Sequence, residues 1–159
     1  HVFKAAPSAY PNGCHIAEIE IDPDTGHVGI ASYVMVNDFG VLVNPMIVEG
    51  QLHGGVVQGI GQAICEMTSY DENGQLLTGS YMDYAMPRAA DVPFFTFIRE
   101  GVPTRHNPVG AKGCGEAGCA GSLPSVMNAV VDALSLHGVR HIDMPATPQA
   151  IWRAIHAKA

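Results

Sequence analysis

Charge is scarce in this sequence. Only 14% of its residues are Asp, Glu, Lys or Arg, against about 25% in an average globular chain, so part of the surface is expected to face another polypeptide or another segment of a longer one. Positive charge is scarcer still: eight Lys and Arg stand against fifteen Asp and Glu, a net charge of -7. That balance argues against nucleic acid as a partner, because a basic patch supplies the affinity there. No apolar run approaches the ~20 residues of a membrane span. The four cysteines, Cys14, Cys65, Cys114 and Cys119, form no C-x-x-C pair, so a zinc or iron–sulfur site held by protein ligands is not expected. Free thiols favour a reducing compartment. An initiator Met and a signal-like start are missing too, and an opening at His1 points to a fragment or mature piece of something larger. Repeats, linkers and low-complexity runs are absent. What remains, 159 residues of which 47% are hydrophobic, suffices for about one domain with a real core.

In chain order, Ala17, Ile19 and Ile21 alternate with Glu18, Glu20 and Asp22, the period-two pattern of a half-buried strand from His15 to Asp22. Pro-Asp-Thr-Gly at 23–26 reads as a turn into a second strand from Val28 to Val36, completing a β-hairpin. Asp22 and Asp24 resemble the start of a calcium loop, but the remaining ligands and the closing Glu are missing, so they read as turn residues. Between Ile47 and Met67 the period lengthens: Val48, Leu52, Val56, Ile60, Ala63, Ile64 and Met67 recur every three or four residues, a long helix with one buried stripe. Cys65 reads as a small core residue of that helix. Leu76 to Tyr84 and Phe94 to Arg99 read as further strands around an irregular connection. Ser122 with Pro124 looks like a helix start, with Met127, Val130, Val131 and Leu134 as its stripe and Gly138 closing it. Thr147-Pro148 caps a last short helix carrying Ile151, Ile155 and Trp152, the last expected as a core anchor. The fold class is therefore α+β: a mixed sheet with a β-hairpin, a long glycine-rich helix and two C-terminal helices.

Two stretches carry the chemistry. In the first helix Gly50, Gly54, Gly55, Gly59 and Gly61 cost up to ~1 kcal/mol each relative to Ala. Gln51 and Gln58, seven apart, share one face within about 20°, with Gly54 and Gly55 between them. That face is either a flat shelf with an amide at each end, able to hydrogen-bond a planar heterocycle, or a seam for another helix with solvated glutamines. In the second stretch, Asn107 to Gly121, five glycines leave a single acidic side chain, Glu116, on bare backbone. Glycine is used where backbone takes unusual dihedrals or approaches a ligand closely, and a carboxylate there is a candidate general base; a mobile surface loop with an incidental Glu is the alternative. Cys114 and Cys119 flank that carboxylate and are reactive only if exposed and of depressed pKa. Gly113, Gly115 and Gly118 also match G-x-G-x-x-G. We reject a dinucleotide site, since no strand leads directly into the motif and Glu116 would face the phosphates.

Five motifs in order make the chain familiar: Cys14-His-Ile-Ala-Glu18, Asn44-Pro45, Glu49-Gly-Gln-Leu-His-Gly-Gly-Val-Val-Gln-Gly59, Tyr84-Ala-Met-Pro-Arg88 and Gly113-Cys-Gly-Glu-Ala-Gly118. The chain resembles the C-terminal segment of the large, molybdenum-binding subunit of the xanthine dehydrogenase, aldehyde oxidase and carbon monoxide dehydrogenase family. The likeness covers essentially all of residues 1–159, read as the C-terminal part of a molybdopterin-binding domain.

The resemblance implies that Glu116 is the general base beside molybdenum and that Gln51 hydrogen-bonds the pterin. It also implies a cofactor-facing stretch from Gly54 and Gly55 to Gln58, with Lys112, Gly113 and Gly115 supporting or touching the cofactor around the base. The metal would be held through the pterin dithiolene rather than by side chains. The implied reaction is hydroxylation of an aldehyde or N-heterocycle with water as the oxygen source. Whether the pterin carries a cytosine dinucleotide, as bacterial members usually do, stays open. Electrons would leave through the pterin to iron–sulfur clusters and FAD on partner subunits or domains, in a dimer of heteromers, cytoplasmic with a periplasmic setting left open. The family's subunit is several times longer, so the 159-residue chain is expected to hold no molybdenum and turn nothing over by itself. The competing reading is a non-catalytic interaction or assembly module that keeps the family's shape.

Overall fold

A computed structural model describes residues 2, 4 and 7–157; His1, where the expected domain opens, and its last two residues lie outside them. The hairpin forms as the alternation predicts, from β1 (Asn12–Ile21) and an antiparallel β2 (Val28–Asp38). Its turn is made by Asp22, whose carboxylate accepts from the Asp24 amide at 2.9 Å and the Thr25 hydroxyl at 2.7 Å, so this Asp serves turn chemistry. Opposite Glu18 and Ile19 the register skips Ala31. A one-residue bulge inverts which residues face inward: Val28 and Ile30 are buried before it, Tyr33, Met35 and Asn37 after it. This is why β2 looks apolar on both faces in sequence. The short β3 (Thr96–Arg99) joins parallel to β2, giving a mixed sheet in the order β1-β2-β3.

Helix α1 (Pro45–Ile64) opens on Asn44, whose side chain accepts from the Ile47 amide at 3.2 Å, with Pro45 in its first turn. It packs on α2 (Ala117–Ser135), and α2 packs on β1. Leu52, Val56 and Ile60 of α1 cluster with Val126, Val130 and Leu134 of α2, Tyr33 and Met35 of the sheet and Phe39 just past β2, all buried. At ~1.5–3 kcal/mol for each large apolar side chain withdrawn from water, this stripe dominates the stability. α3 (Pro148–His156) is capped by Thr147, which accepts from the Ala150 amide, and inserts Ile151 into the core.

Several expectations are corrected. Leu76 to Tyr84 is not a strand. A single bridge pairs Leu76 with Tyr70, and side chains take the local hydrogen bonds instead: Asp71 accepts from the Asn73 and Gln75 amides, Thr78 from the Ser69 amide, and Ser80 donates to Asp83. α1 stops at Ile64 rather than Met67, because the amides of Cys65 and Glu66 both turn back to the Gly61 carbonyl; Met67 is exposed. Cys65 therefore stands half-buried at the helix end rather than in the core, with its thiol pushed up to about 11 by burial and by the charges of Glu66 and Asp91. Trp152 is no core anchor: it is 43% exposed and stacks on His156 at 4.3 Å. α2 begins at Ala117, five residues before Ser122, so Pro124 lies inside it.

Candidate functional site

The stretch from Asn107 to Gly121 divides into three parts. Its base is stitched to the end of β2. Asn107 accepts the Gly110 amide at 2.8 Å and donates to the Ala111 carbonyl at 2.8 Å. Gly110, at φ 76, passes its carbonyl to the amides of Val41 and Thr104. The Lys112 amide reaches the Phe39 carbonyl at 2.8 Å, and its ammonium is hydrogen-bonded to Asp38 with side-chain exposures of 11% and 17%. Asp38 also accepts the amides of Gly40 and Val102 at 2.8 and 3.0 Å. The Lys112 ammonium, followed by those amides, holds the Asp38 carboxyl down at about 2. Sequence reasoning placed Lys112 beside the base and missed Asp38; the charge of Lys112 is turned to this carboxylate, which locks the root of the loop.

The middle part, Gly113 to Glu116, is bare. A Cβ built on Gly113 or Gly115 would meet nothing within 4 Å, and neither glycine has a left-handed dihedral. Glu116 follows as the N-cap residue of α2, exposed, with no side-chain capping bond. It lines a cleft of about 750 Å³ with Ser8, Tyr10, His106, Gly113 and Gly115.

The last part is helix. Gly118 faces α1 so closely that a Cβ would lie 2.6 Å from the Leu52 carbonyl oxygen and 2.8 Å from the Val56 nitrogen. Gly55 reciprocates, 3.0 Å from the Cys119 nitrogen, and Gly59 has no room beside the Ser122 hydroxyl. The helices touch backbone to backbone here.

This contact sorts the predicted shelf. Gln51, Gly54 and Gln58 are exposed together, with Gly50 beside them, and Gly50 and Gly54 again have nothing within 4 Å. Gly55 does not belong to the shelf; it is buried against α2. The α1 glycines divide: Gly55 and Gly59 form the seam with α2, while Gly50 and Gly54 stay uncovered beside the exposed glutamines. Because Gly55 touches Gly118, Gly54 and Glu116 lie one and two residues from the same helix contact, although Gln51 is not among the walls of the 750 Å³ cleft. Gly50 went unremarked as a site residue; its signal was the i, i+4 repeat with Gly54 on the face of Gln51 and Gln58.

A larger cleft, about 1050 Å³, opens between Ile30, Ile60, Ile64 and the 81–93 segment. It contains none of the predicted site residues, and its thiol, Cys65, is held protonated, so the smaller cleft is the better candidate. Among the described residues no three His, Cys, Asp or Glu side chains gather as a metal-ligand set.

Comparison with known proteins adds an independent line. A family model described as molybdopterin cofactor-binding domain matches residues 3–93. The chain is 36% identical over 155 residues to the carbon monoxide dehydrogenase large chain of Hydrogenophaga pseudoflava, covering 98% of this chain and 19% of that one. To the nicotine 6-hydroxylase large subunit of Paenarthrobacter nicotinovorans it is 43% identical over 145 residues, 91% of this chain and 18% of that one. The crystal structure of quinoline 2-oxidoreductase from Pseudomonas putida 86 superimposes with a TM-score of 0.85 at 38% identity, over 91% of this chain and 18% of that one. The chain thus spans about a fifth of the length of the relatives it matches.

Proposed function

The chain belongs to the molybdopterin cofactor-binding family, and from that membership we propose that it forms one wall of the cofactor site in a molybdenum hydroxylase. On this reading residues 1–159 are the C-terminal part of a molybdopterin-binding domain within a longer subunit. The observation that carries the reading is the set of open glycines. Gly50, Gly54, Gly113 and Gly115 have neither a left-handed dihedral nor a neighbour that would exclude a side chain. They present main chain to a space that this chain does not fill, which is what a large group packed on backbone requires.

The residues present fit that group. Gln51 and Gln58 would offer it amides that both donate and accept, and Gly113 and Gly115 would admit it beside Glu116. When bound, the cofactor supplies Lewis acidity and a two-electron acceptor. Glu116 would act there as general base, its carboxylate accepting a proton during the reaction, a role worth typically ~10²–10⁴-fold. The Lys112–Asp38 pair keeps the loop that carries Glu116 on the end of β2. As substrate class we propose an aldehyde or an N-heterocycle, and relatives named for nicotine and quinoline favour the heterocycle. Relatives named as large chains and large subunits support partner subunits, which we take to carry iron–sulfur clusters and FAD in a dimer of heteromers. The four free cysteines support a cytoplasmic setting.

The test is Glu116→Gln in the complete molybdenum subunit. Molybdenum and pterin contents should match the parent protein by elemental analysis and pterin fluorescence, while reduction of the metal by substrate falls by at least ~10²-fold. Unchanged turnover would transfer support to an assembly module without catalysis, which the exposed Tyr81, Met82 and Phe94 would then serve as contact surface.

A further inference from the structure

A second, smaller cleft of about 410 Å³ adjoins the one that holds Glu116, sharing Pro11, Ala117 and Ala120 with it. His15, Asn37 and Ser125 line it and belong, with the buried Tyr33 beneath them, to a chain of polar side chains that no part of the reaction above uses. His15 of β1 approaches the Asn37 amide through Nε2 at 3.3 Å and the Tyr33 hydroxyl through Nδ1 at 2.8 Å. Tyr33 reaches Ser125 of α2 at 3.1 Å, and Ser125 reaches the Ser122 carbonyl at 3.2 Å. One assignment links the whole chain: Asn37 donates to Nε2, Nδ1–H to the Tyr33 oxygen, Tyr33 to Ser125, and Ser125 to the carbonyl. It requires a neutral imidazole, and burial holds the His15 pKa below its ordinary value. The imidazole also serves as a platform: a Cβ on Gly121 would lie 2.4 Å from Nδ1 and 2.5 Å from Cε1, so α2 rests its bare backbone on the ring.

Gly121 and Ser125 are one turn apart, and Glu116 lies five residues before Gly121. The opening of α2 is thus held from two sides, on α1 through Gly118 and on the hairpin through Gly121 and Ser125. Because Glu116 is the residue from which that helix starts, its placement depends on both grips. We propose that His15 and Tyr33 are positioning residues for Glu116, fixing the first two turns of α2 on the hairpin and so aiming the carboxylate. This rests on the reading of Glu116 as the base. Neither residue touches the reacting atoms; both act through the helix.

The experiment compares His15→Ala, His15→Asn, Tyr33→Phe and Glu116→Gln in the complete holoprotein. Asn can place its amide nitrogen near the position of Nδ1 and keep the donor to Tyr33. For His15→Ala and Tyr33→Phe we expect kcat to fall roughly tenfold to a hundredfold, the scale of a misplaced catalytic group, with KM and molybdopterin content unchanged and His15→Asn restoring most of the rate. Independently of turnover, amide hydrogen exchange at 120–123, the first amides of α2 bonded within the helix, should accelerate in His15→Ala while that at 126–134 stays as in the parent. Should His15→Ala fail to load cofactor, Tyr33→Phe, which removes one oxygen atom, decides by the same readouts. Parent-like turnover and exchange in both, beside an inactive Glu116→Gln, overturns the proposal and leaves the base in place. Equal losses in His15→Ala and His15→Asn that track a lowered Tm overturn it as well, since that marks general structural support. A fully active Glu116→Gln instead removes the reading of the base on which the proposal rests, and the proposal falls with it.

Discussion

Two sets of glycines lie within a few residues of each other, and they do opposite work. Gly55, Gly59 and Gly118 are closed: a methyl group on any of them would press into a neighbouring backbone or a buried hydroxyl. Gly50, Gly54, Gly113 and Gly115 are open, with nothing within 4 Å and no dihedral that demands glycine. The closed set is explained within the chain, by the contact of α1 with α2. The open set is not. Glycine in a helix interior costs about 0.5–1 kcal/mol against Ala, and Gly50 and Gly54 incur that cost with no return from packing. The difference separates what holds the domain together from what its surface is shaped to receive, and substitution can test the division directly.

The largest effect should come from closing what is already closed. In Gly118→Ala the new methyl meets the Leu52 carbonyl and the Val56 nitrogen, which are backbone atoms and cannot swing aside. Overpacking of this kind costs about 1–3 kcal/mol, occasionally more, and we expect about 3 in the complete subunit, read as a lowered midpoint of denaturant unfolding. A loss near zero would mean that the helices separate freely and that the closed set is no contact at all.

Next comes the root of the loop that carries the open pair Gly113 and Gly115. Lys112→Met leaves Asp38 without its cation; an exposed pair is worth about 0–1 kcal/mol and losing one partner of a fully buried pair costs roughly 3–5 kcal/mol, so for this partly buried pair we expect about 1–2 kcal/mol. Acid should act on the same bond. The Asp38 carboxyl is lowered from 3.8 to about 2 in the fold, so the unfolded chain binds the proton more readily. The stabilisation is complete above about pH 4 and is lost as pH falls toward 2. In Lys112→Met that acid dependence should shrink, which a pH series of unfolding midpoints will register.

How far the sequence could be read follows the same division. The hairpin, α1 and the Thr147 cap were legible because alternation, period and capping chemistry are local. Leu76 to Tyr84 was misread because its apolar residues hid the side-chain hydrogen bonds of Asp71, Thr78 and Ser80, which hold the segment in turns. The start of α2 was placed late because Gly118 and Gly121 argue against helix until one sees that α1 and His15 occupy the space where side chains would be. In the site, Glu116 and Gln51 stood out by motif. The separate duties of Gly54 and Gly55 could not, since adjacent glycines differ only in which neighbour they face, and the neighbour of Gly55 is Gly118, far along the chain. Asp38 was missed for the same reason: its partner, Lys112, is brought to it by the fold.

The smallest change in stability carries the sharpest distinction, because its sign should reverse. Gly54→Ala puts a methyl group into open space on a helix face and replaces a poor helix former by the best one. Considered as a folding problem, the substitution should stabilise the subunit by about 0.5–1 kcal/mol. Gly115→Ala, in the loop and without a left-handed dihedral, should stabilise by about 0.4–1 kcal/mol by narrowing the unfolded ensemble. Both gains should be read on protein from which the cofactor has been withheld. In protein expressed with molybdenum, the same methyl groups would stand where the pterin needs bare backbone, so pterin content should fall even as the apo fold becomes firmer. A closed glycine cannot give that pair of results, since at Gly118 stability and occupancy must fall together. If Gly54→Ala both stabilises the apo protein and leaves pterin content unaltered, the open glycines have no ligand, and the shelf between Gln51 and Gln58 is ordinary helix surface.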